Sequence, residues 1–210
     1  MKKPQFQYDP AAARAHLVAA DPTLAALIDR VGPYVLQLQA TTSLFEAMLR
    51  SIVYQQLHGK AAATIFKRLT DLAGLPLTPG GVLKLSEEQM RAVGLSKQKL
   101  SYLRDLAAKT QAGELDFLKL PDLPDEEVIK HLTQVKGIGV WTAHMFLMFS
   151  LRRTDVLPTG DLGIQMAVKK HYRKRKLPKP KDMEKIAKCW SPYRSVACWY
   201  LWRSLDIKTM

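Results

Sequence analysis

Residues 132–143 read Leu132-Thr-Gln-Val-Lys-Gly-Ile-Gly-Val-Trp-Thr-Ala143, with two glycines one residue apart. The helical pattern before these glycines ends near Thr133, and a strongly apolar helix is predicted over residues 139–151. Gly137 and Gly139 permit positive φ and close backbone approach, so successive N–H groups can point outward where the second helix begins. Such a hairpin can receive a phosphate oxygen without a side-chain charge, although an ordinary glycine turn between core helices has the same pattern.

A second informative stretch follows, Asp155-Val-Leu-Pro-Thr-Gly-Asp161-Leu-Gly-Ile-Gln165. Asp161 lies where a loop enters a helix predicted over residues 161–171, and by itself this position is typical of a helix N-cap. Asp155 is predicted to be a solvated loop acid, because acidic side chains are mostly exposed, with a helper role beside Asp161 as its alternative. The pattern therefore leaves two roles open for Asp161, a cap and a functional carboxylate.

The rest of the chain is predicted to be helical almost throughout. Apolar runs with helical spacing follow a capping Asp at Asp21-Pro22 and a capping Ser at Ser96. Ser43-Leu-Phe-Glu46 and Ser86-Glu-Glu-Gln89 each predict a capping box at the start of a helix. Further helices are predicted over residues 61–73, 124–133, 182–189 and 192–205, with a turn at residues 75–81. The short alternation over Tyr34–Gln39 is a weak strand signal.

These elements predict an all-α, two-lobed protein. Residues 43–150 would form a central helical lobe that contains the hairpin at about 128–150. Residues 1–42 and 151–210 would form a second helical lobe that carries Asp161.

The charge of the chain indicates a class of partner. The 210 residues carry a formal net charge of +13, and ten lysines and arginines in residues 169–188, the basic segment, stand against two acids. A polyanion, nucleic acid above all, is the partner that such a segment favours, with a solvated basic loop as the alternative. Two cysteines exclude a disulfide framework, an iron–sulfur cluster and a four-cysteine zinc site. No signal peptide or membrane span is evident, so we expect a soluble intracellular protein, in the cytoplasm or nucleoid of a bacterium or in the nucleus of a eukaryote.

Taken together, the motifs resemble the helix-hairpin-helix DNA glycosylase superfamily, and more narrowly the AlkA and Mag type of 3-methyladenine DNA glycosylase. The resemblance covers nearly the whole chain. Besides the hairpin and the Asp161 loop it includes Phe45-Glu-Ala-Met-Leu-Arg-Ser-Ile-Val-Tyr-Gln-Gln56, Gly94-Leu-Ser-Lys-Gln-Lys99, Leu103-Arg-Asp-Leu-Ala107 and Trp190-Ser-Pro-Tyr-Arg-Ser195. It implies a helical fold with the active-site cleft between two lobes, and double-stranded DNA with a damaged base as the partner of a monomer.

The resemblance also implies a role for Asp161, a carboxylate that faces the anomeric carbon of a flipped-out nucleotide. Cleavage of an N-glycosidic bond develops oxocarbenium charge on the sugar, which a fixed carboxylate stabilises while it orients a water. An alkylated purine is already a cationic leaving group and needs little acid assistance. Bifunctional relatives carry Lys where Trp141 stands, and Trp141 has no amine for Schiff-base chemistry. We therefore expect a monofunctional hydrolase that leaves an abasic site during base excision repair.

Base flipping needs a pocket and a plug. The plug candidates are Leu57 and His58, and the candidates for the pocket wall, each with a core role as its alternative, are Tyr54, Trp141, Met145, Trp190 and Tyr193. The DNA contacts that the resemblance assigns to the hairpin are Lys136, Gly137, Ile138, Gly139 and Thr142. It also implies a monovalent cation, Na⁺ or K⁺, held by the backbone carbonyls of Thr133, Val135 and Ile138, and we expect no other cofactor.

Two alternatives stay open. The same fold could act on other lesions, such as deaminated or etheno adenine or a mismatched pyrimidine. The chain could instead be a non-catalytic helix-hairpin-helix module that binds DNA, which Asp161 disfavours because a carboxylate beside phosphate is repulsive. In the leading interpretation the basic segment raises the encounter rate and the non-specific affinity for DNA and leaves the chemical step unaffected.

Overall fold

The computed structural model describes residues 8–36 and 41–206, and every regular element within them is a helix. In chain order these are α1 (Pro10–Ala20), α2 (Pro22–Val31), α3 (Leu44–Tyr54), α4 (Gly59–Ala73), α5 (Pro79–Lys84), α6 (Glu87–Ala92), α7 (Lys97–Gln111), α8 (Asp125–Thr133), α9 (Val140–Phe149), α10 (Leu162–His171), α11 (Pro180–Ala187) and α12 (Arg194–Asp206), with short 3₁₀ turns at Leu120–Asp122 and Lys188–Trp190. The all-α prediction is confirmed.

Two compact units make up the described part of the chain. The residues before Gln39 and those from Leu147 onward form one unit, and the residues between Ala40 and Phe146 form the other. The division predicted from the sequence lies slightly further along the chain, after residues 42 and 150. A weak strand signal covers residues 34–39. Residues 34–36 have no regular structure, and residues 37–39 lie outside the described residues. No helix of the described ranges is long and apolar enough to span a bilayer.

Most predicted helix starts are used as expected. Asp21 caps α2 with Pro22 at the first helical position, a combination that satisfies two amides and presets φ. Ser86 and Gln89 form a complete capping box at α6, and the Ser96 hydroxyl accepts from an amide in the first turn of α7. These caps determine where α6 and α7 begin.

Two local predictions are wrong. The Ser43 side chain caps α3 through the Glu46 N–H, but the Glu46 carboxylate accepts from the backbone N–H and the hydroxyl of Thr42, so the reciprocal bond of a capping box is replaced by a bond one residue earlier. The residues interpreted as a turn at 79–81 are the first turn of α5. Thr78 accepts from an amide of that turn, and a capping Thr followed by Pro starts a helix.

The unit between Ala40 and Phe146 is built around α3 and α7. The Phe117 ring packs edge-on against Phe45 and Phe146, with ring centroids 6.0 and 6.1 Å away. The buried apolar side chains of the two central helices follow helical spacing and are Phe45, Met48, Leu49, Ile52, Val53, Leu100, Leu103, Leu106 and Ala107. This apolar core fixes the end of α3 and one face of α7, to which the functional segments described below are attached.

The other unit joins the first helices of the chain to the last. The Asp21 side chain is 7% exposed, and its Oδ2 accepts from Tyr172 Oη at 2.6 Å and from Trp190 Nε1 at 2.8 Å. Burial and the bond to the Asp21 carboxylate raise the pKa of Tyr172. Asp21 therefore holds α2 to the segments around Tyr172 and Trp190, far along the chain.

Candidate functional site

The hairpin turn presents backbone N–H groups at the start of α9. Gly137 has a φ of 78°, whereas Gly139 adopts no positive φ. Within the described part of the chain, the N–H groups of Gly137, Gly139 and Val140 donate no hydrogen bond, and all three residues are exposed. Amides at a helix N-terminus with this exposure are available to an anion.

The other predicted contacts of the hairpin are less open. The Lys136 N–H donates to Asp105 Oδ2 at 2.8 Å, and the Ile138 N–H donates to the Val135 carbonyl at 3.1 Å. Ile138 is also buried, and the Thr142 side chain is buried as well. Lys136 keeps an exposed side chain. Of the predicted DNA contacts, the amides of the two glycines and the Lys136 ammonium group are thus the accessible ones, while contacts by Ile138 and Thr142 stay a prediction.

The segment after α3 lies against the hairpin. Gln55 Nε2 donates to the Gly137 carbonyl at 3.0 Å, and Gln56 adopts a positive φ of 54°. Leu57 is 39% exposed, and His58 occupies the N-cap position of α4 without a side-chain capping bond. Both plug candidates are therefore accessible, and the His58 side chain does not act as a helix cap.

Three of the predicted pocket residues belong to the unit between Ala40 and Phe146. Trp141 is 51% exposed at the start of α9, and Met145 one turn later is half-buried. The Tyr54 ring is also half-buried, with the Arg50 guanidinium 3.9 Å from its centroid, a cation–π contact that occupies one face. His144 is half-buried, and burial lowers its pKa below the ordinary value.

Asp161 is the N-cap of α10 and is 7% exposed. Its Oδ1 accepts from the Ile164 N–H at 2.8 Å and from Trp202 Nε1 at 2.9 Å. These two bonds to one oxygen orient the carboxylate. The capping role and the functional role left open by the sequence are therefore compatible in one side chain.

Trp202 and Gly163 are two contributors to this site that the sequence reasoning missed. A Cβ on Gly163 would lie 3.1 Å from both Asp161 Oδ1 and Trp202 Cδ1, so the missing side chain is what lets the indole approach the carboxylate. Gly163 could have been singled out from the sequence, because a glycine in the first turn of a predicted helix lowers helix propensity and needs a reason. Nothing local in the sequence indicates which indole of α12 reaches Asp161.

The structure supports the core role that the sequence left open for Trp190. Its ring is 1% exposed and its indole N–H donates to Asp21, so it has no face to offer a base and acts as a core residue. Tyr193 is half-buried, with the His16 ring 5.4 Å and the Tyr8 ring 6.3 Å from its centroid. Tyr193 stays a candidate that the structure places in the same unit as Asp161.

Asp155 is an ion-pair residue and not the solvated loop acid expected from the sequence. Its Oδ1 lies 2.7 Å from Arg194 Nε and its Oδ2 lies 2.8 Å from Arg194 Nη2 and from Ser191 Oγ. Burial opposes its ionisation, but the bonds from Arg194 and Ser191 outweigh that effect and hold the pKa of Asp155 below its usual value. A carboxylate committed in this way ties the loop to the start of α12.

The carbonyls predicted to hold a monovalent cation lie at the end of α8 and in the turn after it. The Val135 carbonyl accepts the Ile138 N–H, which leaves it a second lone pair, and the Thr133 hydroxyl donates to Ile129 of its own helix. Carbonyl oxygens are suitable ligands for alkali cations, so the donor type fits. No cluster of three His, Cys, Asp or Glu side chains in the described residues could hold a metal ion.

The basic segment is a solvent-facing surface. All ten of its lysines and arginines are exposed, and among the described residues none of them forms an ion pair with an acid. The segment includes Arg173, which has a φ of 52° and follows the C-cap residue of α10. Its charge is thus uncompensated within this part of the chain.

Comparison with known proteins gives consistent matches. Residues 49–192 match the HhH-GPD superfamily of base excision DNA repair proteins. DNA-3-methyladenine glycosylase 1 of Schizosaccharomyces pombe is 36% identical over 200 residues, covering 91% of this chain and 86% of that protein. A solved structure of the 3-methyladenine DNA glycosylase of S. pombe with abasic DNA is 34% identical, with a TM-score of 0.81 over 93% of this chain and 97% of that one. The DNA-3-methyladenine glycosidase of Bacillus halodurans is 38% identical, with a TM-score of 0.78 over 96% and 91% of the two chains.

Proposed function

This chain belongs to the HhH-GPD superfamily of base excision DNA repair proteins, and on that basis we propose that it is a monofunctional DNA glycosylase that removes alkylated purines from double-stranded DNA. Its relatives named above are 3-methyladenine DNA glycosylases, and one of them is bound to abasic DNA. The observation within this chain that carries the proposal is Asp161, a buried carboxylate oriented by an amide and an indole.

DNA binding begins at the hairpin in this proposal. The exposed amides of Gly137 and Gly139 contact phosphate oxygens, and the positive end of α9 favours the negative charge there. The Lys136 ammonium adds a salt-dependent contact. Leu57 or His58 fills the gap that the flipped nucleotide leaves in the duplex, since both side chains are accessible and an apolar or planar group stacks well there.

Asp161 then serves the chemical step. As the N-glycosidic bond breaks, the Asp161 carboxylate stabilises positive charge on the sugar and orients the attacking water. The bonds from Ile164 and Trp202 hold the carboxylate in place, so little reorganisation is needed when charge develops. A methylated purine is a cation before cleavage and leaves as a neutral base, so the step needs no proton from a second acid.

The proposal excludes strand cleavage by Schiff-base chemistry. Trp141 occupies the position at which bifunctional relatives carry Lys, and an indole has no amine to form the covalent adduct. Incubation with methylated duplex and borohydride should therefore give no cross-linked protein. A trapped adduct would show that another amine acts as nucleophile and would contradict the monofunctional assignment.

The deciding experiment measures release of methylated bases from duplex DNA. The wild-type protein should release 3-methyladenine and 7-methylguanine, and Asp161→Asn should bind the same DNA and release neither. Asn still caps a helix well, so the variant tests the carboxylate and not the fold. Full activity in Asp161→Asn would overturn the mechanism, and wild-type binding without release would favour a non-catalytic module.

Substrate range is tested in parallel. Duplexes with hypoxanthine, ethenoadenine or a mismatched pyrimidine distinguish the alternatives, and we propose that the methylated purines are released fastest. An electron-poor cationic purine stacks strongly on aromatic rings such as the exposed Trp141. Faster release of a neutral lesion would instead assign the site to that lesion.

We further propose that the protein acts as a monomer and that a monovalent cation binds at the carbonyls of Thr133, Val135 and Ile138. Sedimentation at two protein concentrations tests the first point. For the second, DNA affinity should weaken when Na⁺ and K⁺ are replaced by tetramethylammonium at constant ionic strength. Equal affinity in the two salts would exclude the cation.

A further inference from the structure

The helix α7 contacts the hairpin through its Tyr102 ring. A Cβ on Gly137 would lie 2.1 and 2.2 Å from two carbon atoms of that ring, so the ring fills the space that a side chain would occupy. Gly137 is thus required both by its positive φ and by the aromatic ring pressed against it. The ring is half-buried, and its hydroxyl accepts from Gln98 Nε2 at 2.6 Å.

A second contact from α7 lies one turn further along the helix. Asp105 Oδ2 accepts from the Lys136 N–H at 2.8 Å, while its Oδ1 lies 2.9 Å from Lys109 Nζ. Burial opposes the ionisation of Asp105, but the Lys136 amide and the Lys109 ammonium outweigh it, and the pKa of Asp105 is held below its ordinary value. The residue before Gly137 is therefore bonded to an ionised group on α7.

The same helix also binds the end of α3. Lys99 Nζ donates to the Val53 carbonyl at 2.6 Å, where the last carbonyls of α3 need donors. Burial lowers the pKa of Lys99. Lys99, Tyr102 and Asp105 are spaced three residues apart, so they project from neighbouring positions on one side of α7. The bond from Gln55 Nε2 to the Gly137 carbonyl joins the segment after α3 directly to the hairpin turn.

We propose that Tyr102 and Asp105 are positioning residues that set the register between the plug segment, residues 55–58, and the phosphate-binding turn, residues 136–139. Neither needs to touch DNA, since Tyr102 acts through Gly137 and Asp105 acts through Lys136. Both segments must engage one duplex at a fixed spacing, so a shift of the turn relative to the plug segment weakens binding. This inference rests on the proposed function only in taking DNA as the partner.

The test measures the dissociation constant for an abasic-site duplex together with the single-turnover excision rate at saturating enzyme. Tyr102→Leu and Asp105→Ala should each weaken affinity by about tenfold and leave the saturating rate within about twofold. Tyr102→Phe, which keeps the ring, should restore wild-type affinity. Gln98→Ala is the matched control, because it removes the bond to the Tyr102 hydroxyl without removing the ring.

Three results would overturn the proposal: unchanged affinity in folded Tyr102→Leu and Asp105→Ala, failure of Tyr102→Phe to rescue, or loss of the saturating rate at unchanged affinity. A purely structural role would lower the unfolding temperature and the active fraction but leave the affinity of the active molecules unchanged. If the wild type binds the abasic duplex and releases no methylated base, the proposed function fails, while the affinities still decide the role of α7.

A double-mutant cycle gives an independent readout. Gly137→Ala should weaken DNA binding more in the Tyr102 background than in the Tyr102→Ala background, because removal of the ring opens the space that the new Cβ needs. The strain from the positive φ is common to both backgrounds and cancels in the comparison. Equal losses in the two backgrounds would show that the ring does not position Gly137.

Discussion

Asp21 and Asp161 have nearly the same surroundings, and we propose different roles for them. Each caps a helix, each is 7% exposed, and each accepts from a tryptophan indole, Trp190 in one case and Trp202 in the other. Asp21 is held through both oxygens, with two amides on Oδ1 and the donors Tyr172 and Trp190 on Oδ2. At Asp161 the Ile164 amide and the Trp202 indole both donate to Oδ1.

This comparison teaches that a capping position does not by itself reveal chemistry. A carboxylate whose two oxygens each receive two donors has all of its acceptor positions occupied by structural hydrogen bonds. At Asp161 the amide and the indole share Oδ1, so they orient the carboxylate through that oxygen. The sequence pattern of a loop, an Asp and an apolar helix is common to both sites, and only the surrounding motifs distinguish them.

The largest expected difference is between Asp161→Asn and Asp21→Asn. Asp161→Asn should lower the single-turnover excision rate by about a thousandfold, the size seen when a group that stabilises transition-state charge is lost, with little change in unfolding temperature. Asp21→Asn should leave the rate of folded molecules unchanged and cost about 1–3 kcal/mol, because an amide nitrogen cannot accept from Tyr172 or Trp190. Rapid-quench kinetics and calorimetry measure the two effects. If Asp21→Asn slowed excision and Asp161→Asn lowered only the stability, the roles assigned to the two aspartates would be wrong.

The two indoles give the next largest contrast. Trp202→Phe removes one donor from Asp161 and should slow excision about tenfold through loss of orientation, while DNA affinity stays within about twofold. Trp190→Phe removes the corresponding donor from Asp21 and should lower the free energy of unfolding by about 1–3 kcal/mol without slowing the folded enzyme. A slow Trp190→Phe enzyme with normal stability would contradict this assignment.

A smaller effect is expected from Gly163→Ala. The new Cβ would lie 3.1 Å from Asp161 Oδ1 and 3.3 Å from Trp202 Nε1, so the indole must move by a few tenths of an ångström. We expect a loss of about threefold in the excision rate. Gly80→Ala, where the nearest atom is 3.8 Å away, is the matched control and should have no effect. Equal rates in Gly163→Ala and the wild type would show that the Trp202 contact tolerates displacement.

The smallest effect is predicted for Tyr172→Phe. The substitution removes one of the four donors to Asp21 and keeps the ring 6.3 Å from that of Trp190. The cost should be about 1 kcal/mol, or about 2–4 °C in the unfolding midpoint. The excision rate should not change. Thermal unfolding followed by circular dichroism checks the first part, and any loss of rate would place Tyr172 outside the purely structural group.

Much of the helical architecture is predictable because its signals are local. Asp21-Pro22, the Ser86 capping box and the Ser96 cap are each read from neighbouring residues, and the structure uses all three as caps. The helix α5 was mistaken for a turn because Pro79-Gly80-Gly81 is typical of turns, while Thr78 as a cap outweighs the two glycines. Local rules compete at such positions, and the sequence does not show which one prevails.

The candidate site is less predictable because long-range packing creates it. The pattern predicts a functional role for Gly137, but it does not predict the Tyr102 ring that excludes a side chain there. It also treats Trp190 and Trp202 alike, since both are aromatic residues in helical segments. Which indole is buried against Asp21 and which reaches Asp161 depends on contacts across 169 and 41 residues of sequence.

The bonds of Asp21 have a consequence for the order in which the chain folds during synthesis. Its partners Tyr172 and Trp190 are 151 and 169 residues further along, so α1 and α2 leave the ribosome long before their polar anchor can form. The unit between Ala40 and Phe146 is continuous in sequence and closes shorter loops. It can therefore fold first, while Asp21 stays hydrated until the end of the chain emerges. Premature termination before residue 172 would leave the N-terminal helices without either partner and expose them to proteolysis.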